Sequence, residues 1–75
     1  MSLFLQDGTE VTHRIPVIYQ GMAGLYEATL VGVKGNGFLV INFKTRVHPE
    51  AKIRVIDGIT YENTWVCTPD QLRKA

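Results

Sequence analysis

Residues 24–43 read GLYEATLVGVKGNGFLVINF, and this stretch decides the fold. It spells two β-strands, Leu25 to Val33 and Phe38 to Thr45, around a tight turn. Asn36-Gly37 is the strongest short hairpin signal, because a type I′ turn needs positive φ at both central residues; Gly35-Asn36 is the alternative. Either turn pairs even-numbered residues of the first strand with odd-numbered residues of the second. One face therefore collects Tyr26, Ala28, Leu30, Leu39, Ile41 and Phe43, which is the expected core face.

The opposite face is polar at its base, with Glu27, Thr29, Asn42 and Lys44, but apolar at its tip. Val31, Val33, Phe38 and Val40 would form a patch that a free-standing hairpin leaves in water, a liability unless covered. Two covers are open: the N-terminal Leu3-Phe4-Leu5 of the same chain, or a second copy. The second makes Val31, Val33, Phe38 and Val40 a subunit interface, and a homo-oligomer is expected.

Working outward, Gly, Pro and Asn break the chain at short intervals, and no window keeps a 3.6-residue apolar period for three turns. Strands therefore dominate. Leu3 to Leu5 is a short candidate, closed by Asp7-Gly8. Val11 to Gln20 is extended, with Ile15, Val17 and Tyr19 on one face; Pro16 argues for an edge or a bulge. Gly21 to Gly24 is a loop that includes Ala23. Lys52 to Ile56 and Ile59 to Cys67 flank the turn Asp57-Gly58. Thr68-Pro69-Asp70 starts a helix of one turn, with a cap, Pro at the first position and an acid in the first turn. Short strands joined at roughly ten-residue spacing predict an all-β single domain over residues 1–75, a small barrel of about five strands.

Composition agrees with one small domain. Seventy-five residues with 45% hydrophobic content support a single core, which at this size buries only about 60% of the unfolded surface. The one cysteine, Cys67, excludes an internal disulfide and fits a reducing compartment. The start MSLFLQDGTE lacks a basic n-region, and no apolar run approaches the ~20 residues that cross a bilayer. A cytoplasmic protein without membrane partners is expected.

The words GLYEATLVGV, a Gly/Asn turn and GFLVINF resemble the central hairpin of SH3-like small barrels, the Tudor and related domains. Tyr26 and Ala28 match their aromatic-x-Ala pair, Val40 to Phe43 matches their second strand, and CTPDQLRKA is similar to their closing turn. The resemblance covers about 45 of the 75 residues and implies an SH3-like barrel. Tudor domains that hold methylated cations use an aromatic cage, for which Tyr19, Tyr26, Tyr61 and Trp65 are the available rings. GVKGN also occurs in carbon-storage-regulator RNA-binding proteins, but the segment that should follow is absent here. The substrate strand of plasmid-type dihydrofolate reductases has no counterpart in Ile53-Arg54-Val55-Ile56.

Charge is the remaining signal. The net charge is +1, yet Lys34, Lys44, Arg46, Lys52 and Arg54 fall in one segment, opposed only by Glu50. If Val47 pairs with Ala51, Lys44, Arg46, Lys52 and Arg54 share a face; if it pairs with Lys52, they divide between two faces. A shared patch would bind phosphates by charge and counterion release, with Phe43 or Trp65 stacking bases. His13, His48 and Cys67 are isolated in sequence and predict no metal site. No catalytic residues and no cofactor are expected. The sequence thus predicts a non-enzymatic binding module contacting nucleic acid through the basic hairpin, or alternatively a protein-interaction or assembly subunit acting through the apolar tip and the barrel edge.

Overall fold

The computed structural model describes residues 3–22, 24–46 and 48–75; Ala23 and Val47 lie outside them. The chain is all-β. Six strands follow in order: β1 Pro16–Gly21, β2 Gly24–Val33, β3 Leu39–Phe43, β4 Lys52–Ile56, β5 Ile59–Cys67 and β6 Leu72–Lys74. They form one antiparallel sheet ordered β4-β5-β3-β2-β1-β6. The ladder does not close, so β4 and β6 remain as edges. Among the described residues the strands number six rather than about five.

The hairpin core face forms as its alternation predicts. Ala28 pairs with Phe43 and Leu30 with Ile41. Tyr26, Ala28, Leu30, Leu39, Ile41 and Phe43 are all buried, joined by Leu5, Val17, Tyr19, Cys67 and Leu72. Complete burial of a Leu or Ile side chain stabilises by about 1.5–3 kcal/mol, and Leu30, Leu39, Ile41 and Leu72 are fully enclosed.

The hairpin turn differs from both two-residue expectations. Gly37 N–H donates to Lys34 O and Lys34 N–H to Phe38 O, while Gly37 takes φ 87°. This is a three-residue loop whose glycine forms the bulge. The two-residue type I′ geometry occurs instead at Asp57-Gly58, with φ 51° and 79° between paired Ile56 and Ile59.

A second bulge splits the apolar tip. The register shifts between Leu30 and Gly32, so Val31 is the extra residue; Gly32 then faces Val40, and Val33 faces Leu39. An inserted residue inverts strand parity. Val33 thereby leaves the side of the sheet that carries Val40. The outer side is covered by the chain itself: a Cβ on Gly32 would stand 3.3 Å from Ile56 Cγ2 and 3.8 Å from Val40 Cβ. The β4–β5 hairpin thus curls back across the outside of β2.

Two further expectations are corrected, and the one-turn helix near the C-terminus forms where the sequence predicts it. β1 lies between β2 and β6 rather than at an edge; Pro16 is tolerated because it opens the strand, where its missing N–H is least needed. Leu3–Leu5 contributes only an isolated bridge, Phe4 with Glu10. The C-terminal turn is a 3₁₀ turn over Pro69–Gln71 followed by strand β6. In that turn Gln71 Oε1 accepts bonds from Thr68 N–H and Oγ1.

Candidate functional site

The four basic residues do not share a hairpin, because β5 lies between β3 and β4. The pairing considered for Val47 lies outside the described residues; β3 itself pairs with β2 and β5. Lys44 is exposed and its N–H donates to Glu27 O. Arg46 leans back over the hairpin base, its guanidinium carbon 4.4 Å from the Tyr26 ring centroid and its Nη1 donating to Leu25 O at 3.3 Å. Lys52 opens β4 and is exposed.

Arg54 is half-buried, and its Nη1 donates to Thr64 O at 3.1 Å and Thr64 Oγ1 at 2.9 Å. The fully buried Thr64 hydroxyl in turn donates to Lys52 O at 2.6 Å. Arg54 thus braces the β4–β5 hairpin; both of these bonds go to neutral oxygens, which leave its charge in place.

The four apolar tip residues also separate. Val31 and Val40 are buried within the chain, whereas Val33 and Phe38 are exposed. Val33 and the turn residues line a shallow cleft of about 440 Å³ with Leu3, which brings the N-terminal segment beside the tip.

Sequence reasoning missed the ring cluster around His48. The loop after β3 lays this imidazole against rings from β1, β2, β3 and β5: 4.4 Å between centroids to Trp65, 5.8 Å to Phe43, 5.7 Å to Tyr26 and 6.3 Å to Tyr19. Glu50 N–H donates to His48 Nδ1 at 3.1 Å, which assigns the neutral ring's proton to Nε2. An open cleft of about 420 Å³ runs past Tyr19, Met22, Tyr26, His48, Pro49, Glu50 and Trp65. Of the four rings considered for a cage, Tyr19, Tyr26 and Trp65 meet here; Tyr61 lies opposite Arg54 on β5.

His13 sits with Asp57 at 3.5 Å, apart from the His48 cluster. Cys67 is buried in the core, where burial and, secondarily, the Asp70 charge push its thiol up to about 12. Among the described residues no group of three His, Cys, Asp or Glu is placed to hold a metal ion, and no helix is long and apolar enough to cross a membrane.

The two sheet edges are treated differently by the chain. On β6, Leu72 O accepts from Gln6 N–H at 2.8 Å, and Lys74 N–H donates to Asp7 Oδ2 at 3.0 Å. Bonds from Thr9 and Lys74 N–H hold the Asp7 carboxyl below its ordinary range. The N-terminal turn therefore caps β6. On β4, the two-residue turn makes Ile56–Ile59 and then Arg54–Tyr61 the hydrogen-bonded pairs, and Lys52 O accepts from Thr64, so the backbone groups of Ile53 and Val55 point outward. Among the described residues no strand pairs with that side. Their side chains are 69% and 64% exposed.

Comparison with protein-family models, with curated proteins and with solved structures returns no match to this chain.

Proposed function

We propose that this chain is a non-enzymatic binding module of the SH3-like small-barrel type that recruits a protein partner by adding a strand to β4. The curl that brings Ile56 over Gly32 supports the barrel type. The observation that carries the function is the contrast between the edges: β6 is capped by Gln6 and Asp7, while β4 presents outward backbone groups beneath exposed Ile53 and Val55. An open apolar edge invites strand pairing, and backbone bonds supply affinity in such complexes. Exposed Val33 and Phe38 offer a second apolar contact for assembly of a homo-oligomer. A cytoplasmic setting accords with the free Cys67.

The test is selection from a random peptide library, followed by binding to Val55→Pro. Proline at this outward position removes a donor the fold does not use. Selected peptides should bind the parent protein and lose affinity for Val55→Pro at unchanged melting temperature. Affinity retained in that variant would place recognition elsewhere.

Nucleic-acid binding is the second reading, favoured by the cleft where His48 stacks on Trp65 with the Arg46 guanidinium over Tyr26. Aromatic platforms with adjacent cations suit single strands. Titration of a labelled oligonucleotide at two salt concentrations decides it. Binding with a log–log slope of roughly −1 to −2, weakened by Lys44→Gln and Arg46→Gln, supports the reading; no binding at low salt removes it.

A further inference from the structure

We infer that the occupant of the β4 edge is an extended acidic peptide alternating carboxylate and aliphatic side chains, added antiparallel to β4. The inference rests on the proposed role of that edge and names the chemistry of its partner. Alternation on β4 separates Ile53 and Val55 on one face from Lys52 and Arg54 on the other. The strand, KIRVI, contains two cations and no acid. Lys52 is exposed, and the Arg54 hydrogen bonds to Thr64 are to neutral groups. A strand laid along this edge meets apolar surface on one side and positive charge on the other.

Register distinguishes this occupant from a second copy. The outward backbone groups belong to Ile53 and Val55, so a copy that pairs them with one another must turn about Arg54. Arg54 would then stand directly opposite its own counterpart, and like charges across a ladder are destabilising. A partner with aliphatic residues opposite Ile53 and Val55 and Glu or Asp between them satisfies both faces. In an antiparallel pair, the aliphatic positions of the partner carry the amides that bond to β4.

The probe is a fluorescein-labelled, end-capped heptapeptide, Glu-Val-Glu-Val-Glu-Val-Glu, titrated against the full chain by anisotropy. Its Gln-for-Glu counterpart should bind roughly two- to thirty-fold more weakly, as two cross-strand charge pairs imply. Lys52→Glu should erase most of that difference. N-methylation of the valines should abolish binding while N-methylation of the glutamates leaves it, and bound peptide should slow hydrogen exchange at Ile53 and Val55.

Equal affinity for the Gln and Glu peptides overturns the acidic class while leaving the edge as the binding site. Failure of both peptides at millimolar concentration overturns the edge reading as well. Glutamate N-methylation that abolishes binding overturns the antiparallel geometry. A concentration-dependent dimer with Ile53 and Val55 amides already protected, in the absence of peptide, gives the edge to a second copy and overturns the inference.

Discussion

Gly32 of β2 lies directly beneath Ile56 of β4, close enough that a methyl group on Gly32 would stand 3.3 Å from Ile56 Cγ2. This approach holds the β4–β5 hairpin against the outside of the sheet, where the neighbouring Val40 is buried. A branched side chain at position 32 has to displace Ile56. Gly32→Val should therefore cost about 1–3 kcal/mol by overpacking. Ile56→Ala should recover part of that loss, with a coupling of at least ~0.5 kcal/mol in a double-mutant cycle. Urea denaturation of the four proteins checks this. Strict additivity would mean that the hairpin does not rest on Gly32.

Thr64 is the buried polar node of the same hairpin, donating to Lys52 O and accepting from Arg54 Nη1. Thr64→Val keeps the shape and deletes both side-chain bonds. The loss should be about 1–3 kcal/mol, because Lys52 O and the Arg54 guanidinium each forfeit a partner in a half-buried setting. A change within about 0.5 kcal/mol, again by urea denaturation, would show that water replaces the hydroxyl.

The pH dependence of the capped edge follows from Asp7, whose carboxyl is lowered by bonds from the Thr9 and Lys74 backbone N–H groups. A depressed folded value means that the contribution is present above the ordinary carboxyl value of 3.8 and is lost as pH falls through the folded value. Protection of the Lys74 amide, corrected for intrinsic exchange rates, should fall in that acid range. Asp7→Asn should remove the dependence. Protection that survives protonation would assign the capping of β6 to Gln6 alone.

Local chemistry made much of this fold legible. The strands Lys52–Ile56 and Ile59–Cys67 emerge with their boundaries because Asp57-Gly58 is a strong turn and the flanking residues are apolar or β-branched. The core face of the central hairpin emerges because period-two alternation survives as far as Leu30. Beyond that point Val31 is inserted; the one local mark is the isolated Gly32, which fits a bulge or a close backbone approach equally well. Pairing of β5 with β3 was also hidden, since Leu39 and Cys67 meet through a non-local choice between apolar strands. That choice dissolved the expected basic hairpin. His48 read as an isolated turn residue because its four ring neighbours come from four different strands.

Cys67 supplies the last prediction. It is buried opposite Leu39, and its thiol is pushed from an ordinary 9.0 up to about 12 by burial, with Asp70 adding repulsion. The thiolate is the reactive form, so at pH 8 native protein should label with iodoacetamide far more slowly than protein unfolded in urea. Because the folded value is raised, native Cys67 keeps its proton where the unfolded thiol loses it. Stability should therefore be full below pH 9 and decline as pH rises from about 9 to 12. Cys67→Ala should flatten this part of the alkaline profile while creating a small cavity in the core. Rapid labelling of the native protein at pH 8 would mean that the β3–β5 seam opens readily, and the rate of that opening would follow from the labelling kinetics.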